Sequence, residues 1–319
     1  MRLLTFKFLS LFFISVTFLS AEMFSRTKVA MGTFVTISLE KKHKKYIENA
    51  FHLIEDIELS LSSYNSQAII YQLNKNKMVK LDAYAYEALD LSKKYYCLSN
   101  RYFNITIGAI TKDLYKFGKV ETIPSNVELK KASTNFGGLH FTTKVATLDK
   151  ALKVDLGGMG KGFAVDKVHE YFQSKQLSKG IIAASGDIRC LDECDIDVAD
   201  PFSDDVLLSF KTLKANVGIS TSGNYNRYVQ SKKHNHLINP KMKESQKNFI
   251  SITLISELPS SDLDAYATAA SVMPIKKAYE FLNGHDLAYI IMQSDRKLRF
   301  SDNISRYVKD LVIHNGIKK

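Results

Sequence analysis

The chain has 319 residues, 45% hydrophobic and 24% charged, with a formal net charge of +11. This is the composition of an ordinary globular protein with enough apolar surface for its own core, and it excludes low-complexity and collagen-like chains. The positive charge favours anionic cofactors or an anionic membrane surface, whereas the lack of any nucleic-acid-binding motif argues for no nucleic-acid partner.

Residues 1–21 carry Arg2 and Lys7, an apolar run from Phe8 to Leu19, and the small-residue pattern Leu19-Ser20-Ala21. That is the pattern of a secretory signal peptide, with an uncleaved N-terminal anchor as the alternative. No later window approaches the roughly 18 apolar residues of a spanning helix. No linker-like stretch divides residues 22–319, so they read as one catalytic domain. Among the three cysteines, Cys190 and Cys194 are close enough to form a disulfide in an oxidising compartment, and Cys97 is left over.

In chain order, the β-branched run 29–39, interrupted by a glycine, predicts a strand with a bulge or tight approach. Ile47, Phe51, Ile54, Ile57 and Leu61 recur at helical spacing, and a second helix is expected over 83–98. A strand pair follows around 139–141 and 146–148. From Val154 the pattern is a short strand, a glycine turn and a helix that buries Val165, Val168 and Phe172. Further strands are expected at 180–184, 206–210, 218–221, 228–230 and 250–255. After them come helices at 262–272 and 275–282, separated by Pro274, and a strand at 288–292. The mixture is α+β, too irregular in order for a doubly wound sheet.

Four segments could carry chemistry. The turn VDLGGMGKGF, from Val154 to Phe163, lets backbone approach a ligand closely and precedes a helix whose N-terminus favours an anion. It matches neither the P-loop nor the dinucleotide pattern, and a purely structural turn is the alternative. Asp264 and Thr268 stand four apart on one helix face, where a hard cation such as magnesium could use both oxygens; a capping box of Ser261 and Asp264 explains the same residues. His234 and His236 alternate on an extended stretch, so both should lie on one side, as candidate bases or as surface residues. Asp155 and Asp187 could bond a ligand or stabilise turns.

The order of MGT at 31–33, FNITIGAI at 103–110, VDLGGMGKGFAVDKV, ASGDI, ISTSGNYNRY, HNHLINP and DAYAT at 264–268 resembles the FAD:protein FMN transferases of the ApbE family over nearly all of the mature chain. The resemblance implies a two-layered α+β (T-fold-like) unit with a central FAD cleft. It implies a Mg2+-dependent enzyme that cleaves the pyrophosphate of its substrate FAD, attaches FMN through phosphate to a Ser or Thr of an acceptor protein, and releases AMP. The implied acceptors are flavoprotein subunits of membrane redox complexes outside the cytoplasm, so the expected location is periplasmic, at the inner-membrane surface.

By the same resemblance Met31, Tyr64, Tyr102, Phe103, Asn104, Asp155, Lys161 and Ile238 surround FAD. Asp264, Thr268 and the Gly158 carbonyl hold the metal, and His236 takes the proton of the acceptor hydroxyl. Two positions depart from the family: Asn104 and Asn239 stand where it usually has aspartate, and Lys241-Met242-Lys243 replaces its usual Thr-Gly turn. Each amide removes a negative charge near a polyanionic ligand and is expected to alter cofactor contacts or acceptor choice. An FAD pyrophosphatase yielding FMN and AMP, and a non-catalytic periplasmic flavin-binding protein, are the competing readings.

Overall fold

The computed structural model describes residues 22–314, so the expected signal segment lies outside the described residues. Its strands are β1 (Met23–Ala30), β2 (Thr33–Glu40), β3 (Met78–Lys80), β4 (Leu139–Phe141), β5 (Val145–Leu148), β6 (Gly180–Ala184), β7 (Asp187–Cys190) and β8 (Asp195–Ala199), then β9 (Val206–Thr212), β10 (Gly218–Gly223), β11 (Ile238–Asn239), β12 (Glu244–Ser245), β13 (Phe249–Ser256), β14 (Ala288–Gln293), β15 (Leu298–Phe300) and β16 (Val308–Ile313). The helices are α1 (Lys45–Leu61), α2 (Ile69–Asn76), α3 (Ala83–Leu98), α4 (Asn126–Lys131), α5 (Gly160–Ser174), α6 (Ser260–Ser271) and α7 (Ile275–Asn283). The α+β expectation is borne out.

The main sheet has eight strands in the order β1-β2-β6-β7-β10-β13-β14-β15, with every neighbouring pair antiparallel. Its two faces are covered differently. Ile252, Leu254, Tyr289 and Ile291 join the core with Leu263 and Ala267 of α6 and Phe163 of α5. The alternate residues Ile255, Ala288, Ile290 and Met292 pack with Ile196, Leu208 and Phe210 of the small sheet β16-β9-β8. Burial on both faces is why β13 and β14 read as continuous apolar runs.

Several expectations are corrected. The run 29–39 is not one strand but the second half of a β1-β2 hairpin, whose two-residue turn Met31-Gly32 has positive φ at both positions (51° and 73°). That is the twist a two-residue hairpin loop requires. The turn is tied down by Glu58 of α1, whose carboxylate accepts the Met31 N–H at 2.9 Å. Residues 228–230 form no strand, only an isolated bridge between Tyr228 and Asn235, and Lys153 makes a parallel bridge to Ile107 where a strand was expected to begin at Val154. The Ser261–Asp264 capping box is absent, because α6 begins at Ser260 with Pro259, which makes no side-chain cap bond, at its N-cap.

Cys190 and Cys194 are joined as a disulfide, and Cys97 is free and exposed. No described helix is long and apolar enough to cross a membrane.

Candidate active site

Helix α6 carries Asp264 and Thr268, and how it is held explains the site. Its first N–H groups, those of Ser260 and Ser261, are accepted by the carboxylate of Asp166 on α5 at 2.6 and 2.8 Å. A buried guanidinium, Arg189 of β7, donates to Ser260 Oγ at 2.8 Å and to the Leu258 and Asn216 carbonyls at 2.6 Å each. These partners satisfy the orphan groups of a helix start inside the protein. Every residue of α6 is buried except Thr268, which is partly exposed. The helix therefore opens to a ligand at that one turn.

The glycine turn lies against this opening. A Cβ at Gly158 would come within 2.9 Å of the Thr268 methyl and 3.2 Å of its hydroxyl, and one at Gly162 would run into the Ser260 carbonyl. The hairpin tip approaches as well, with the Met31 methyl 3.8 Å from where a Cβ of Gly160 would lie. Phe103 sits within 3.4 Å of the Gly158 position. Met31, Phe103, Gly158, Lys161, Asp264 and Thr268, far apart in sequence, are thus brought together.

Within this group the Lys161 ammonium lies between two carboxylates, 2.9 Å from Asp187 and 3.2 Å from Asp264. Asp264 also accepts the Gly162 N–H at 3.2 Å. Burial and the facing carboxylate of Asp187 raise the Asp264 pKa, against the pull of Lys161 and the Gly162 N–H. Burial disfavours the charge on Lys161, but Asp187 and Asp264 outweigh it and raise its pKa.

A second cluster adjoins the first. Asp155 accepts from the Thr111 hydroxyl at 2.6 Å and pairs with Lys112 at 3.1 Å. Thr111 and Lys112 belong to a π-helical turn, Ala109–Leu114, a geometry frequent at functional sites. Burial works against the Asp155 charge, yet Lys112, Thr111 and Arg227 bring its pKa down to about 2. The Lys112 ammonium also stands 3.8 Å above the Tyr64 ring, and Arg227 donates to the Tyr64 hydroxyl at 2.5 Å.

His234 and His236 do not share a side. His234 ends a short helical turn near Tyr115, whereas His236 turns inward, with both its N–H and Nδ1 on the Arg227 carbonyl at 3.2 and 3.1 Å. A carbonyl only accepts, so Nδ1 carries the proton and Nε2 keeps its lone pair. Burial, with Arg227 and Lys161 nearby, lowers the His236 pKa to about 4.

Three further predicted contacts have side chains engaged by protein neighbours. Tyr102 packs beneath Lys241, 3.9 Å from its ring centroid. Ile238 buries its side chain among Ile110, Phe117 and Val229, leaving only its backbone for a ligand. The Asn104 amide is committed internally: it accepts from Thr106 N–H and hydroxyl and donates to the Thr134 carbonyl at 2.8 Å. Asn239 is alike, accepting from the N–H groups of Lys241 and Met242 and donating to the Val272 carbonyl at 2.7 Å. Both amides are therefore structural donors that a carboxylate could not replace.

Lys112 and Arg227 had no sequence signal, since no spacing links 112 or 227 to Asp155. Among the described residues no three His, Cys, Asp or Glu side chains form a metal cluster. A cation at Asp264 would rely on the neutral oxygens of Thr268 and Gly158, and an all-oxygen set of this kind suits magnesium. The glycine cradle against Thr268 fits such an ion.

A model of the ApbE family matches residues 31–291. The FAD:protein FMN transferase of Klebsiella pneumoniae (strain 342) is 23% identical over 90% of this chain and 96% of its own length. That of Treponema pallidum (strain Nichols) is 23% identical over 90% and 89%. In fold, the chain is similar to the ApbE protein of Thermotoga maritima, with a TM-score of 0.82 at 22% identity over 91% of this chain and 100% of that one. It is also similar to the flavin transferase ApbE from Vibrio cholerae, with a TM-score of 0.77 at 18% identity over 90% and 99%.

Proposed function

The chain belongs to the ApbE family, and on that premise we propose that it is a magnesium-dependent FAD:protein FMN transferase acting in the periplasm. The observation that carries this reading is Lys161 paired with Asp264 on the helix whose Thr268 meets the Gly158 turn, next to a neutral His236. The hairpin tip at Met31 and the ring of Tyr64 give apolar and aromatic surface for the flavin.

In the proposed reaction a Ser or Thr hydroxyl of the acceptor attacks the FMN phosphorus of FAD, the P–O–P bond breaks, and AMP leaves. Bound at Asp264, Thr268 and Gly158, magnesium would supply neutralisation of the pyrophosphate charge. Lys161 adds a fixed positive charge beside it. Nε2 of His236, unprotonated because Nδ1 serves the Arg227 carbonyl, takes the proton of the attacking hydroxyl.

The proposed setting, at the inner-membrane surface with flavin-bearing subunits of redox complexes as acceptors, rests on the signal-like residues 1–21 and agrees with the disulfide. The test is incubation of the mature chain with FAD and Mg2+, with and without a Ser/Thr-bearing acceptor domain, followed by flavin fluorescence in a denaturing gel. Covalent flavin on the acceptor is expected. Free FMN and AMP without labelling would replace transfer by hydrolysis, and unchanged FAD would leave only a flavin binder.

A further inference from the structure

Asp187 begins β7 and is 1% exposed. One of its oxygens accepts the Ser220 hydroxyl at 2.5 Å, and the other pairs with Lys161 at 2.9 Å, closer than Lys161 stands to Asp264. The Lys161 and Gly162 contacts of Asp264 both fall on Oδ2. Oδ1 has no hydrogen-bond partner among the described residues, so it is the oxygen left for another ligand.

Two carboxylates and one ammonium leave this buried group with a net negative charge. At short range and low dielectric one unit of charge decides the sign of ion that a site prefers. Asp264 and Lys161 alone would be neutral, and Lys161 would then have Asp264 as its only carboxylate.

We propose that Asp187 is a positioning residue: it holds Lys161 away from full engagement with Asp264 and gives the cluster the negative charge that draws a divalent cation to Asp264 Oδ1. The inference rests on the magnesium-dependent reading above and adds to it a residue that does not itself touch the cation. Ser220 fixes the orientation of Asp187 but contributes no charge.

The test is calorimetric titration of Mg2+ into the mature chain saturated with FAD, together with FAD affinity measured without Mg2+ by flavin fluorescence. In Asp187→Asn, close in shape and still able to accept from Ser220, the Mg2+ Kd should rise about tenfold or more. FAD affinity without Mg2+ should not fall, because the change removes negative charge near an anion. Asp187→Ser serves as a second variant with the same expectation. Ser220→Ala, which keeps the charge, should hold Mg2+ affinity within about threefold.

Unchanged Mg2+ affinity in both Asp187 variants would overturn the proposal. So would an equal loss in Ser220→Ala, which would make packing the cause, or a parallel loss of FAD affinity, which would make Asp187 a cofactor contact. Failure of the unaltered chain to bind Mg2+ would defeat the metal reading itself, a result distinct from any difference between variants.

Discussion

Asp155 and Asp264 are neighbouring carboxylates largely withdrawn from solvent, and their proton affinities are displaced in opposite directions. Burial pushes both up. Asp155 faces two cations and a hydroxyl and no carboxylate, so its charge is locked. Asp264 faces a second carboxylate as well as a lysine, so its charge remains open to an added cation. What differs is the company each keeps, and the contrast separates a cluster suited to anions, with Lys112 and Arg227, from one suited to a metal.

The sharpest way to break this contrast is Asp264→Ala, which should lower flavin transfer by about 10³-fold or more, measured as fluorescence on the acceptor. Near-normal activity would remove Asp264 from the chemistry. His236→Ala should lower kcat by about 10²-fold or more. In the unaltered chain kcat/KM should fall as pH drops through about 4, because the base must be neutral. The same shift has a stability consequence. The unfolded chain takes up the histidine proton near its ordinary 6.5 and the folded chain only near 4, so stability is lost as pH falls through that window. A denaturant midpoint that does not decline there would contradict the burial of His236.

Lys112→Met tests the anion side. It should raise KM for FAD about tenfold with a smaller change in kcat, since it frees Asp155 to repel a phosphate. An effect on kcat alone would place Lys112 in the chemistry. The smallest effect belongs to the two amides that stand where the family has aspartate. Asn104→Asp or Asn239→Asp should each cost about 1–3 kcal/mol at neutral pH, because a carboxylate would face the carbonyl that the amide now serves. Thermal unfolding should drop by a few degrees, with KM for FAD nearly unchanged.

That last pair shows how far the sequence could be read. Asn104 and Asn239 stood out as departures, and charge alone suggested altered ligand contacts, but the partners that explain them, Thr134 and Val272, lie 30 and 33 residues away. The stripe of α1 and the runs of β13 and β14 were legible because burial imposes periodicity or continuous apolarity. The first strand was not, since MFSRTKVA forms an exposed edge with burial only at its end and leaves no pattern to see. In the site, glycines, DAYAT and HNHLINP marked the right segments. Sequence order could not show that Asp187 meets Lys161, or that Asp166 rather than Ser261 caps α6. Such pairings are settled by the sheet and by helix packing, not by local spacing.

Gly162 ties these matters together. Where α5 meets the first residue of α6, the two backbones touch, and no side chain larger than hydrogen fits between them. The glycine acts as a gauge block: it sets the gap between the lysine-bearing and aspartate-bearing helices to one fixed thickness. The spacing between Lys161 and Asp264 is set in this way by a missing side chain, and a methyl group at that position would have to push the two helices apart.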